Sequence, residues 1–146
     1  MRIFSVGYLG ISSRKTRNAD ADELIVSGPY RFVRNPIYLG NILIYLGFTV
    51  LSNVFFPLFP LMTFVFFVFV YYSIVLYEES GLSRRFDLKY QKYVLSVPRF
   101  FPRFHAQLQI NSTQKFDAAM ALQSEKTTLI VLVLAFSAIV IKNYTP

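Results

Sequence analysis

Apolar positions fill the middle of the chain in two long runs. Ile37 to Leu51 is nearly all apolar, Ser52-Asn53 makes a minimal break, and Val54 to Tyr77 is apolar again. A bilayer core of about 30 Å needs about 20 helical residues. The second run exceeds that length, while the first is short and needs its flanks or a tilted, partly re-entrant path. Together they predict a helical hairpin over 37–77. Asn35-Pro36 marks its start, with Asn35 as N-cap and Pro36 at the first helical position, where a missing N–H costs nothing. Pro57 and Pro60 fall in the first turns of the second run, where proline is best tolerated.

Beyond the hairpin the period changes. Leu82, Phe86, Tyr90, Tyr93 and Val97 recur at spacings of four, four, three and four, with Arg84, Arg85, Lys89 and Lys92 between them. This predicts an amphipathic helix over 78–97, lying on the headgroups or packed over the hairpin. Pro98 ends it, and Arg99-Phe100-Phe101-Pro102-Arg103 mixes basic and aromatic groups as an interfacial anchor does. Residues 104–126 read as a polar linker with a weakly amphipathic patch from Phe116 to Leu122. Thr127 to Ile141 is a third apolar segment of marginal length. Upstream, Ser12 to Asn18 reads as a solvated basic loop. The predicted fold class is an all-α membrane protein: a helical hairpin, an interfacial amphipathic helix and a C-terminal apolar helix. The core occupies 1–103, and 104–146 is a linker followed by a membrane helix.

Composition strengthens the membrane reading. Apolar residues make up 54% of the 146 residues, including 16 Phe and 10 Tyr, and only 16% are charged. A soluble domain of this size cannot bury so many large apolar side chains, so the Phe run from Phe55 to Phe69 faces lipid. The chain has no cysteine, which removes disulfides and thiolate chemistry, and its single histidine, His105, makes no zinc site with protein ligands alone. No metal is expected. The net charge of +7 sits beside apolar segments, a placement that suits anionic headgroups and topology control, not nucleic acid. Met1 to Gly10 lacks the long apolar core of a cleavable signal peptide.

Charge then sets an orientation. Of 15 Lys and Arg, six precede the hairpin, eight lie between Glu78 and Lys126, and only Lys142 lies near the end. Positive-inside bias places both flanks of the hairpin in the cytosol and the C-terminus outside. The Asn111-Ser112-Thr113 sequon is then cytosolic and silent, and Asn143 is outside but too close to the membrane for glycosylation.

Both flanks carry candidate chemistry. Gly28-Pro29-Tyr30-Arg31-Phe32-Val33-Arg34-Asn35-Pro36-Ile37-Tyr38-Leu39-Gly40 resembles the Arg-His-Pro-x-Tyr-x-Gly block of the isoprenylcysteine carboxyl methyltransferase family, which the related phospholipid N-methyltransferases share. Glu78-Glu79-Ser80-Gly81-Leu82, followed by Phe86, Tyr90, Tyr93 and Val97-Pro98, is similar to that family's second block. The resemblance covers roughly residues 20–103. It implies an integral-membrane, multi-pass enzyme that uses S-adenosyl-L-methionine at the cytosolic face and methylates a lipid or lipid-modified acceptor.

Carried over by position, the resemblance assigns Leu24, Ile25, Tyr30, Asn35, Pro36, Tyr38 and Glu78 to cofactor binding, with Pro36 and Gly40 shaping the backbone. Arg34, Asn41 and Glu79 are assigned to the substrate. No catalytic residue is assigned. A sulfonium donor is already activated, so transfer needs in-line positioning and a desolvated nucleophile more than a strong acid or base. A carboxylate such as Glu78 suits an amino group or ribose hydroxyls, and Tyr30 and Tyr38 offer hydroxyls and ring faces to a cation. Neighbouring residues on a helix point about 100° apart, so at most one of the two Glu faces a pocket squarely.

The chain departs from the pattern in three ways. Asn35 stands in place of the usual His and cannot become cationic. Ile74 stands where the prenylcysteine enzymes carry an Arg for the substrate carboxylate, which favours a different lipid. The membrane segments that usually precede this core are missing, so a truncated start is expected. Two other readings share parts of the pattern: an NADPH-dependent sterol-reductase-like enzyme, which has the Pro-Tyr element without the Glu pair, and a non-catalytic membrane protein that keeps the fold. Taken singly, Arg31 and Arg34 are ordinary membrane anchors, and the Glu pair is a solvated helix start favoured by the dipole. Asn41, inside the first apolar run, is a helix–helix hydrogen bond or a substrate contact.

Overall fold

The structure is a computed structural model that describes residue 2 and residues 4–8, 24–103 and 115–144. The basic loop at 12–18, His105 and the Asn111 sequon lie outside the described residues. A 3-10 turn at Gly28–Arg31 leads into three long helices, α1 (Pro36–Ser52), α2 (Leu58–Ser96) and α3 (Ala118–Tyr144), and residues 4–8 are also helical. Among the described residues the regular structure is all helical.

Helix α1 begins with Asn35 at the N-cap and Pro36 in the first turn, but the Asn35 side chain makes no capping hydrogen bond. The predicted N-cap position and first-turn proline are thus as expected, while the Asn35 amide is used elsewhere, as described below. Asn53 ends the helix in the left-handed region at φ 51°, and its N–H donates to Val50 O at 3.1 Å. Asparagine is among the few residues that tolerate this conformation, because its short amide bonds locally. The turn runs to Pro57, so α2 starts at Leu58, later than the apolar run itself.

Helix α2 is 39 residues long and does not stop at the Glu pair. The second apolar run and the start of the amphipathic stretch are continuous through the Glu pair, and a kink at Asp87 (φ 37°) separates them from a second helical segment that runs to Ser96. An aromatic ladder joins α1 to its first half. Tyr45 stacks on Phe67 at 4.3 Å between centroids, Phe67 on Tyr71 at 5.6 Å, and Tyr71 lies 4.9 Å from Tyr38. Such pairs contribute about 0.5–1.5 kcal/mol each beyond their buried area.

Helices α2 and α3 are long and apolar enough to cross a membrane, and only 11% and 6% of their most apolar windows are buried. A core helix of a soluble protein passes the same length test but hides its side chains; these helices present theirs. Phe64, Phe66 and Phe69 of α2 and Val133, Leu134 and Ile141 of α3 are all exposed. The fold is that of an all-α membrane protein. Helix α1, at 17 residues, spans about 26 Å at 1.5 Å per residue and is the shorter apolar element.

The buried core lies at one end of the hairpin. Tyr90, Tyr93 and Val97 pack against Leu24 and Val26, with Leu82 and Phe86 partly buried beside them. The stripe of period 3.6 in the sequence is thus the face that α2 presents to the segment before the 3-10 turn. Tyr93 Oη donates to Tyr30 O at 2.8 Å, Arg34 N to Pro98 O at 2.9 Å, and Arg103 N to Phe32 O at 3.0 Å. These bonds lace the two flanks of the hairpin together. Gly28 makes the turn possible: its φ is +57°, and a Cβ there would run into the Tyr8 ring.

Helix α3 begins at Ala118, well before the third apolar run, because Asp117 Oδ1 accepts the Met120 N–H at 2.9 Å and caps it. The patch from Phe116 to Leu122, expected within the linker, supplies that cap and the first turn. At its far end, Lys142 Nζ donates to Ser52 O at 3.2 Å and Asn143 Nδ2 to Leu51 O at 3.4 Å, covering open carbonyls of α1.

Candidate functional site

The two sequence blocks meet at the end of the hairpin that carries the core. Helix α1 offers Tyr38 from its first turn, and α2 offers Glu78 and Glu79 at the level where its apolar run ends. Tyr38 Oη donates to Glu78 Oε1 at 2.8 Å. Glu78 is exposed and keeps most of its acceptor capacity, since an ionised carboxylate offers about four lone-pair directions. The buried Tyr30 phenol lies within electrostatic range of both Glu78 and Tyr38.

Glu79 points elsewhere. Arg99 grips it with two nitrogens, Nη2 to Oε2 at 2.7 Å and Nε to Oε2 at 3.1 Å. Arg34 Nη1 lies 3.3 Å from Oε1, and the Glu79 and Arg34 side chains are only 11% and 10% exposed. The Asn35 amide donates to Glu79 Oε1 at 3.4 Å and to Arg99 O at 3.3 Å. Here the missing cap is explained, since the amide bridges the two flanks instead of closing its own helix. One carboxylate thus gathers two guanidiniums and an amide, and the cluster keeps a net positive charge. Arg34 also lies within electrostatic range of the Tyr90 phenol, and its Nε is buried with no hydrogen-bond partner among the described residues.

Burial raises the Tyr30 and Tyr93 phenols well above the ordinary tyrosine range, and Tyr90 is raised for the same reason. All three stay neutral at physiological pH and act as hydrogen-bonding groups, not as proton acceptors. The hydrogen bond with Glu79 raises Arg99 further, so this guanidinium remains cationic throughout.

The remaining predicted positions fall in different places. Leu24 is in the buried core and Ile25 is half-buried beside it. Pro36 is fully buried at the start of α1. Gly40 is a seat for Arg2: a Cβ there would stand 3.3 Å from Arg2 Cβ. Asn41 lies apart from the Glu pair, where its Oδ1 accepts Arg2 Nη1. Arg2 Nε in turn pairs with the buried Glu125 Oε2 at 2.7 Å, and Nη2 reaches Thr128 Oγ1 at 3.4 Å. Asn41 therefore joins α1 to α3 through Arg2.

Sequence reasoning missed two of these partners. Arg99 reads as a membrane anchor among aromatics, and Arg2 is an isolated basic residue. The only signal for Arg99 is its place directly after Val97-Pro98, which returns the chain to the first block. For Arg2 and Glu125, separated by most of the chain, no local pattern exists.

Residues 4–89, more than half of the chain, match the phospholipid methyltransferase family. The chain belongs to that family. The matched stretch holds both blocks of the site, Tyr38 with Glu78 and Arg34 with Glu79, and stops short of Arg99 and the whole of α3. No curated protein and no solved structure matches the chain. Phospholipid methyltransferases act by methyl transfer to a lipid, and the apolar hairpin beside this site is consistent with an acceptor held in a membrane.

Proposed function

We propose that this protein is a multi-pass membrane methyltransferase that takes S-adenosyl-L-methionine at the cytosolic face and transfers its methyl group to a membrane lipid. The observation that carries this reading is the Tyr38–Glu78 hydrogen bond. It joins the family's two blocks across the hairpin and leaves a carboxylate facing outward, at the end of apolar helices. The donor set suits the cofactor: Glu78 has free acceptors for an amino group or hydroxyls, and the Tyr38 and Tyr71 rings offer faces to a cation.

When bound, the cofactor supplies an electrophilic methyl group on a sulfonium. The chain's own residues bind, orient and exclude water. Glu78 and Tyr38 hold the polar end. The Arg34–Glu79–Arg99 cluster fixes the relative position of the two flanks, so that Glu78 is presented by a rigid frame. Buried Tyr30, Tyr90 and Tyr93 close the inner side against water. Ile74, where a prenylcysteine enzyme carries Arg, supports a phospholipid over a prenylcysteine carboxylate. The basic residues of both flanks, with only Lys142 near the opposite end, support the cytosolic orientation.

Calorimetric titration of the full chain in detergent with S-adenosylhomocysteine tests the reading. Saturable binding in the micromolar range is expected, and silence up to roughly millimolar ligand, a free energy of only about −4 kcal/mol, overturns it.

A further inference from the structure

Helices α1 and α3 are tied at both ends and part company between. At one end Arg2 bridges Asn41 of α1 to Glu125 and Thr128 of α3. At the other, Lys142 and Asn143 of α3 cover the Ser52 and Leu51 carbonyls. Between these ties lies a slot of about 410 Å³, walled by Leu43, Phe48 and Leu51 on α1 and by Leu132, Val133 and Phe136 on α3. Its one polar side chain, Ser137, donates its hydroxyl to Val133 O at 2.9 Å, so its single hydrogen is already used within the helix. Gly47 forms part of the wall, and a Cβ added there meets nothing within 4 Å. From Leu43 to Leu51 the slot runs about 12 Å at the helical rise, close to the hydrocarbon depth of one leaflet of a ~30 Å core.

We infer that this slot holds one acyl chain of a phospholipid whose phosphate rests on Lys142. The apolar walls exclude a polar ligand, because burying an unpaired polar group costs more than the contacts return. Lys142 decides the headgroup. It is the only Lys or Arg after Lys126 in the sequence, and it uses one of three ammonium donors on Ser52 O, one residue beyond the slot-lining Leu51. Among the described residues the other two have no partner, which leaves them to meet a phosphate. The site lies at the opposite end of α1 from Tyr38 and outside the family-matched stretch on its α3 side, so this lipid is a bound structural partner of α3 and not the methyl acceptor. The inference rests on the chain being membrane-spanning, and not on its methyl-transfer chemistry.

The test is photolabelling of the full chain in phosphatidylcholine vesicles doped with phosphatidylglycerol that carries a diazirine in one acyl chain, with peptide mapping of the label. Diacylglycerol bearing the same chain is the control. Label is expected to concentrate on residues 43–51 and 129–137, above that on the exposed α2 face around Phe64 and Phe69. Gly47→Leu fills the slot and is expected to cut the slot label roughly tenfold while leaving the α2 label unchanged. Lys142→Gln is expected to lower phosphatidylglycerol label about threefold, to the level of diacylglycerol. Even labelling of all exposed faces, or a slot label indifferent to Gly47→Leu, overturns the inference. Loss of label from the α2 face as well overturns it together with the membrane reading, whereas absent cofactor binding leaves it standing. Unchanged S-adenosylhomocysteine binding by Gly47→Leu shows that the variant is folded.

Discussion

Glu78 and Glu79 are chemically identical neighbours on one helix, and the structure gives them opposite surroundings. Glu79 turns into the junction of the hairpin's flanks and is held by Arg34, Arg99 and Asn35. Glu78 turns outward, meets one tyrosine hydroxyl, and keeps its charge accessible. The first is a fastening, and the second is the group a ligand can reach. A rotation of about 100° between successive side chains is enough to separate the roles. The difference teaches that two adjacent acidic residues need not act as a pair: burial and partners assign the work.

The largest expected effect breaks the fastening. Glu79→Gln leaves Arg34 as a buried cation without its counter-charge, and the loss in stability is expected to be about 3–5 kcal/mol. It is read as a fall in the thermal or denaturant midpoint of the detergent-solubilised protein. A stability equal to that of the parent would show that Arg34 does not depend on Glu79, and the contrast between the two carboxylates would collapse.

Next in size is Glu78→Gln, which tests the other side of the comparison. Stability is expected to stay within about 0.5 kcal/mol of the parent, as for an exposed surface change. S-adenosylhomocysteine affinity is expected to fall roughly tenfold, the scale of one lost charge-assisted hydrogen bond. Equal melting losses for Glu78→Gln and Glu79→Gln would merge the two roles again.

The smallest change sharpens the picture. Tyr38→Phe keeps the ring against Tyr71 and removes only the hydroxyl that orients Glu78. A two- to fivefold loss of cofactor affinity is expected, because a neutral hydrogen bond contributes about 0.5–1.5 kcal/mol. In the Glu78→Gln background the same substitution is expected to add little, since the two groups act through one contact. Full additivity in that calorimetric cycle would mean that Tyr38 contacts the ligand independently of Glu78.

Much of the architecture was legible from local pattern. Runs of apolar residues interrupted at Ser52-Asn53 announced the hairpin, because a lipid-facing helix needs continuous apolar length and a turn needs residues that tolerate its backbone. The stripe of Leu82, Phe86, Tyr90, Tyr93 and Val97 announced a buried face, because side chains repeat at the helical period. The length of α2 was less legible. A change from apolar to amphipathic composition looks like the end of one helix and the start of another at the Glu pair, yet the break between the two segments falls later, at the Asp87 kink. The early start of α3 was also hidden, because a single Asp117 cap outweighs a polar composition.

The site divides in the same way. Residue types and their order determined by themselves that Tyr38 and the Glu pair flank a common hairpin, since two antiparallel helices joined by a short turn bring both flanks to one end. Only the tertiary structure decided which Glu is free, because that depends on where Arg99 and Arg34 lie in space, and ion pairs leave no periodic trace in sequence. It also decided that Asn35 bridges instead of capping, and that Asn41 meets Arg2 and through it Glu125. Helical period and apolar length are properties of consecutive residues and can be read along the chain. Partners separated by tens of residues are chosen by packing, and packing exists only once the chain has folded.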